Sequence, residues 1–400
     1  MGRIFTGDIM KCKELFAKID ELNEEYLNVL EDCCNLESPT EDKARVDAVG
    51  SFFAALARKK GWEVDVPPIE VSGDIVTITM NRDAKGSPIS LSGHIDTVHP
   101  VGLFGTPAVR RDETFMYGPG VVDCKGGVVA GLLAMEALDA VGFRDRPVRM
   151  LLQTDEEKGS TPSGKKTIRY ICERAGDSRA FLNLEGNGGG GAVIVTTKGI
   201  ARYSLAIHGR AAHSSRRQQG ASAILEAAHK IIALENASDP SGRETTYNCG
   251  IVRGGTVANS VAAECEVIVD IRYATQAAGL LADAFVREIA AQTWIEGCSC
   301  DISLISDRPA TELSEKNLSL LADANAIFAS EGLSVLGQRN GMGGTDMAYV
   351  TQYGIPCMDS IGVEGTHVHS VDERMVLRSL AESAKRIAAI ICCIEGDTVC

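Results

Sequence analysis

Two short strings carry most of the chemical promise of this chain: His94-Ile95-Asp96 and Asp155-Glu156-Glu157. Asp123, Glu185 and His369 stand apart from them and from each other. Two imidazoles and three carboxylates make a ligand set of borderline hardness. Such a set suits zinc, with cobalt or manganese as substitutes. Three carboxylates would cancel much of the charge of two dications, and one of them could bridge ions about 3.5–4 Å apart. Water between two such ions has its pKa lowered toward neutrality. It still needs a base, and a carboxylate next to a ligand is well placed to be one.

Each piece alone has a plainer reading. His-x-Asp is often a capped turn, Asp-Glu-Glu a solvated acidic loop, and Gly118-Pro119-Gly120 a turn. Glu185 could cap the segment after it. The argument for a site is shared placement. His94-Ile95-Asp96 comes after a strand ending near Ser92, Asp155-Glu156-Glu157 after one ending near Gln153, and Glu185 after one ending at Leu184. His369 lies in a loop after a strand around 355–359, and Asp123 sits in a Gly-rich turn before a helix. In open α/β sheets, ligands bind outside the carboxyl ends of the strands.

The elements that must position these groups are legible in outline. Ser38-Pro39-Thr40-Glu41 reads as a capping box opening a helix through Val49, Phe53 and Leu56 to Gly61. Strands are expected at 75–80, 89–92, 148–152 and 180–184, with helices at 126–141 and 167–174. This alternation predicts an α/β domain, a mostly parallel sheet with helices on both faces. From Lys198 the rhythm becomes strand, helix, two strands around Gly254-Gly255-Thr256, helix, strand, the order of a ferredoxin-like α+β unit. The expected domains are 1–197 and 308–400, forming the α/β part, with 198–307 inserted between them.

Bulk properties exclude some classes. The chain has 400 residues, 44% hydrophobic and 24% charged, and a net charge of −14. That charge, with no basic patch longer than Arg110-Arg111 or Arg216-Arg217, argues against a nucleic-acid partner. No apolar run approaches the roughly 18 residues of a membrane span. The first 15 residues lack the apolar core of a signal peptide. Thirteen cysteines, with no Cys-x-x-Cys, read as reduced thiols in a cytoplasm.

The motifs together resemble a known family. Ser92-Gly-His94-Ile-Asp96-Thr-Val98, Gly118-Pro-Gly-Val-Val-Asp123-Cys-Lys-Gly-Gly127 and Thr154-Asp155-Glu156-Glu157-Lys-Gly-Ser160 are the most specific stretches. Leu184-Glu185, Gly209-Arg-Ala-Ala-His213, Gly343-Gly-Thr-Asp346 and His369-Ser-Val-Asp-Glu373 come after them in the same order. The chain is similar to the zinc-dependent carboxypeptidases and deacylases typified by glutamate carboxypeptidase, acetylornithine deacetylase and succinyl-diaminopimelate desuccinylase. The resemblance implies a di-zinc exopeptidase fold, two zinc ions per chain, and cleavage of an amide bond beside a free carboxylate through a metal-bridging hydroxide. It implies that Asp123 bridges the metals, that His94 and Glu185 hold one, and that Glu157 and His369 hold the other. Glu156 would be the general base, and Asp96 would orient His94. The inserted domain would be a lid and homodimer interface. His213 would reach the partner's active site, and Asn259, Arg308, Gly343, Gly344 and Thr345 would grip the substrate carboxylate.

The sequence departs from the family at Gly186, where proline is common, and at Cys124. His367 competes with His369, but the spacing to Asp372-Glu373 favours His369; His99, His208 and His229 read as structural. Glutamate rather than aspartate at 185 favours a carboxypeptidase or an N-acyl amino acid deacylase over an aminopeptidase or di/tripeptidase. The Thr-Asp-Glu-Glu-Lys-Gly-Ser string is most like glutamate carboxypeptidase. Substrates would be small peptides or N-acyl amino acids. Two rivals stand outside hydrolysis: a non-catalytic binding module on the same fold, and a nucleotide enzyme using Gly186–Gly191. The latter loop should open a helix, yet a strand-like run comes next.

Overall fold

Strand Ile89–His94 is buried along its whole length, and its neighbours Val148–Gln153 and Ala180–Asn183 nearly so. Strands without a polar face need cover on both sides, which only flanking helices provide. In the computed structural model these strands form the middle of a six-stranded sheet. The structure describes residues 8–395 except Gly190 and Met342, with side chains from Cys12 onward. The sheet order is 63–65, 76–80, 148–153, 89–94, 180–183, 357–358. The last four strands run parallel, and Glu63–Asp65 and Val76–Met80 add an antiparallel edge.

The chain forms two compact units. One comprises Met1–Val195, Leu313–Asn340 and Tyr349–Cys400; the other comprises Thr196–Glu312 and Gly341–Ala348. The second unit therefore runs further than the 198–307 read from sequence and takes in a short later piece.

In the first unit, helix Lys125–Ala140 lies against helices Asp8–Asn35 and Ser379–Cys393. It is apolar on nearly every face because it is buried on nearly every face. Gly127 lets this helix come close to the chain leaving strand 180–183: a Cβ there would stand 1.8 Å from the Leu184 carbonyl oxygen. Helix Asp8–Asn35, absent from the sequence reading, buries Leu15, Ile19, Tyr26, Leu30 and Cys33, spaced for one helical face. Each large apolar side chain so buried contributes about 1.5–3 kcal/mol. Among the described residues, no helix is long and apolar enough to cross a membrane.

The capping box at Ser38 does not form. Helix Lys43–Lys59 starts later, and Asp42 caps it by accepting the Arg45 N–H. The Ser38 hydroxyl donates to the Ile95 carbonyl, and the Pro39 segment bridges to Thr97. A local cap is worth about 1 kcal/mol, and the tertiary pairing outweighs it. The strand expected at 355–359 shrinks to Cys357–Met358.

In the second unit, strands 246–254, 264–273, 199–208 and 299–308 form an antiparallel sheet in that order. Burial alternates along Gly199–His208 and Glu264–Tyr273, so one face is covered and the other is not. Helices Ala223–Asn236 and Gln276–Ala291 supply the cover.

Candidate metal centre

The chain order of the main sheet reverses at strand 89–94, whose neighbours 148–153 and 180–183 lie on opposite sides. Three of the predicted groups leave the carboxyl ends of these strands. His94 ends the first, Glu156 and Glu157 open a short 3-10 turn after the second, and Glu185 comes just after the third. The fourth, Asp123, is brought in by a small separate sheet. Strand Arg374–Val376 pairs with Phe115–Tyr117 and with Gly365–Thr366, which holds the His369 loop beside the turn that carries Asp123.

Asp123 is the hub of the cluster. His94 Nε2 lies 2.8 Å from its Oδ1, and His369 Nε2 lies 3.1 Å from its Oδ2. Glu185 stands 3.6 Å from His94 Nε2, and Glu157 stands 3.2 Å from His369 Nε2. Each carboxylate oxygen of Asp123 thus faces a different imidazole, and each imidazole has a second carboxylate. His94 Nδ1 sits 3.0 Å from the Asp96 carbonyl oxygen, which can only accept. Nδ1 therefore carries a proton, and in the metal-free chain Nε2 donates another to Asp123. His367, in contrast, bonds the Thr366 hydroxyl and is exposed.

Asp96 does more than orient His94. Its side chain lies 3.4 Å from His94 Nδ1, behind the backbone contact. It also accepts the backbone N–H groups of Glu156 and Glu157, both at 3.3 Å, and the Thr40 hydroxyl at 2.8 Å. One buried carboxylate thereby aligns the histidine with the turn that carries both glutamates. Asp155, their neighbour in sequence, turns away and binds Thr167 and Ser163.

Glu373 has a supporting role that sequence reasoning does not reach. It is fully buried and accepts N–H groups from Gly120 (3.2 Å), Val122 (2.9 Å) and Asp123 (3.1 Å), with His99 Nε2 at 3.1 Å. It fixes the Asp123 turn from behind. Local sequence carries no signal for a contact spanning 250 residues; a buried glutamate beside a Gly-Pro-Gly turn is visible only in three dimensions. His369 itself has a left-handed backbone, φ 60°. A non-glycine residue held so costs on the order of 1–3 kcal/mol, a strain typical of functional sites.

The electrostatics have one sign. Burial lowers the pKa of His94, but Cys124 and the carboxylates around it raise it further, and the net shift is well upward. Burial pushes Glu185 well above the carboxylate range and Glu157 up to about 7. Asp123 and Glu157 lift His369 to about 10. Burial opposes ionisation of Asp123 too, yet the two histidines hold it low. Five carboxylates (Asp96, Asp123, Glu156, Glu157, Glu185) crowd two imidazoles. This donor set fits divalent cations, which would replace the shared protons and neutralise the excess charge. Cys124 Sγ also lies within reach of His94 and Glu185. It accepts the His94 N–H, and burial holds it as a thiol.

The remaining predicted residues belong to the second unit. His213 and Asn259 are neighbours there: residue 213 bridges to Ser260, and the Asn259 carbonyl accepts the Ser214 N–H. His213 Nδ1 is 2.8 Å from the Ser215 hydroxyl, and the ring is exposed. Arg308 is buried at the end of its strand and donates to the Gly344 carbonyl, beside Gly343 and Thr345. The loop Gly186–Gly191 leads into strand Ala192–Thr197 rather than a helix, so the helix N-terminus of a dinucleotide site is missing there.

Residues 90–392 match the model of peptidase family M20/M25/M40. The chain belongs to that family. It is a metal-dependent hydrolase of peptide or amide bonds. It is 28% identical over 384 residues to carboxypeptidase G2 of Pseudomonas sp. strain RS-16, covering 93% of this chain and 91% of that one. It is 28% identical over 242 residues to acetylornithine deacetylase of Myxococcus xanthus, covering 58% and 60%. Among solved structures, aminopeptidase PepT of Bacillus cereus superposes with TM-score 0.77 at 20% identity, covering 92% and 98%. The YxeP protein of Bacillus subtilis, a dinuclear metal-binding peptidase, superposes with TM-score 0.66 at 16% identity, covering 93% and 98%. At those identities the two structures speak for the fold alone.

Proposed function

We propose that this M20 member is a two-zinc carboxypeptidase that releases a C-terminal amino acid, glutamate-carboxypeptidase-like, from a small peptide or N-acyl chain. The observation that carries the reading is Asp123, whose two oxygens face two different histidines. His94, Asp123 and Glu185 would hold one ion, and Asp123, Glu157 and His369 the other. When bound, the pair supplies Lewis acidity and a water acidified toward neutrality. Glu156 takes the proton of the attacking water and returns it to the leaving amine. Asp96 keeps Glu156 in register with His94, and Glu373 keeps Asp123 between the histidines. Arg308 and the Gly343–Thr345 loop bind the substrate carboxylate, with Asn259 beside His213. In a homodimer built on the second unit, His213 of one protomer serves the oxyanion in its partner's site. The near full-length likeness to carboxypeptidase G2 supports this over deacylation, where the matched relative covers little more than half of the chain. The described cysteines are free, which supports a reducing, cytoplasmic setting.

The test is metal content per chain with turnover of N-acyl and peptidyl glutamates, before and after chelation. About two ions, with activity lost on chelation and regained with zinc, supports the reading; Glu156→Gln should keep both ions and lose about 10²–10⁴-fold in kcat. In the same assay, inactive His213→Ala and Glu156→Gln subunits should recover activity when mixed. A chain that takes up no metal, or an undiminished Glu156→Gln, overturns the mechanism. No recovery despite subunit exchange overturns the shared site.

A further inference from the structure

The first and last helices of the first unit meet in a cluster of sulfur. Cys12, in helix Asp8–Asn35, lies with its Sγ 3.5 Å from that of Cys393, the last residue of helix Ser379–Cys393. Cys392 joins them, and all three sulfurs lie within 4.8 Å of one another. Cys12 is fully buried, and the other two are partly exposed. The cluster shares no residue with the candidate metal centre.

We propose that Cys12, Cys392 and Cys393 form a separate site for a thiophilic closed-shell ion, Zn(II) or Cu(I), that clamps the first helix to the last. Metal–sulfur bonds of about 2.3 Å place the sulfurs of a three-thiolate site roughly 3.7–4 Å apart. The 3.5 Å between Cys12 and Cys393 falls just short of that distance, and Cys392 lies within 4.8 Å of both. A disulfide needs about 2.05 Å between two sulfurs and would leave the third thiol unused. The protonation of the cluster sets a cost that an entering ion must meet. The thiols of Cys392 and Cys393, together with burial, raise Cys12 far above its ordinary value. Cys393 is drawn down by its bond with Cys12, but Cys392, burial and the Glu331 carboxylate carry it up to about 12. Thiols held protonated are slow to attack oxidants or disulfides. A soft cation changes that balance: as it enters, three S–H protons leave to solvent, three metal–sulfur bonds form, and no electron moves. The partial exposure of Cys392 and Cys393 gives the ion a way in and leaves room for water as a further ligand.

The experiment uses the full chain, purified under reductant and stripped of metal. Cd(II), and separately Cu(I) under anaerobic chelator competition, are titrated while sulfur-to-metal charge-transfer absorption is monitored. The expected result is one sulfur-bound equivalent per chain, bringing total Cd(II) to about three when added to the about two of the other centre. Cys12→Ser and Cys393→Ser should each abolish the band, while zinc-restored hydrolytic activity stays unchanged. Should Cys12→Ser fail to fold, Cys393→Ser at the partly exposed position carries the test. Absence of the band in the unaltered chain overturns the proposal. So does a band that survives Cys393→Ser, which would assign the sulfur to Cys124, or a peptide linking Cys12 to Cys393 with two hydrogens lost. The competition arm names the resident ion by the affinity it shows. Failure of the peptidase reading would appear in turnover, and failure of this one in the sulfur band.

Discussion

Buried charge is used in opposite ways in the two units. In the second, Lys230 and Glu226 are both fully buried, 3.0 Å apart on one helix. Lys230 also donates to the carbonyls of Ile289, Ala290 and Gln292, closing the end of helix Gln276–Ala291. The other oxygen of Glu226 accepts the Trp294 and Ile295 N–H groups. Charge and hydrogen bonds balance without any visitor. In the first unit, carboxylates outnumber the imidazoles they surround, and the pKa values of Glu157, Glu185, His94 and His369 all shift upward. The first pattern completes a fold; the second is complete only with added cations.

That contrast can be broken most sharply at Glu185. Glu185→Gln should cost about a thousand-fold or more in turnover, since a metal's Lewis acidity is worth several kcal/mol. Burial already favours the protonated form of Glu185 in the metal-free chain, so metal-free thermal stability should hold within about 0.5 kcal/mol. A stability loss as large as the activity loss would make Glu185 a structural residue. Lys230→Met should behave the other way, losing about 3–5 kcal/mol of stability because Glu226 is stranded, with metal content per folded chain unchanged. Denaturant unfolding beside metal analysis checks it, and a neutral result would mean that the Lys230 network is dispensable.

The smallest effect is in pH. Glu157, raised from 4.5 to about 7, favours the metal-free fold fully below about 4.5, and that contribution fades as pH rises through about 7. Metal uptake must displace this proton and that of His369, which lies near 10. Affinity should therefore climb by at least about a hundred-fold per pH unit below pH 7, and by at least about tenfold per unit from there toward 10. Competition with a chelator of known affinity measures it; a flat profile would deny that these two groups exchange protons for metal.

The chain shows its ligands more readily than their supports. His94, Glu156, Glu157 and Glu185 are legible because they come directly after apolar runs, and carboxyl ends of parallel strands collect ligands. Glu373 is not legible as a support, since its four partners lie in the Asp123 turn and at His99, more than 200 residues away. Ser38 misleads for the same reason: a good local cap loses to a pairing with Thr97 that no local rule contains. The first helix is a different case, because the stripe Leu15, Ile19, Tyr26, Leu30 is a local signal that does reveal it.

The discontinuity of the first unit has a consequence for synthesis. His94, Asp123, Glu157 and Glu185 leave the ribosome before residue 196, but His369 and Glu373 come from the last segment, after the contiguous stretch Thr196–Glu312. At roughly 5–20 residues per second, the acids wait on the order of ten seconds or more for the histidine that completes their cluster and the glutamate that steadies Asp123. A nascent chain therefore cannot assemble the whole centre early. On the proposed ligand set, metal capture by all five groups has to wait for the segment that carries His369.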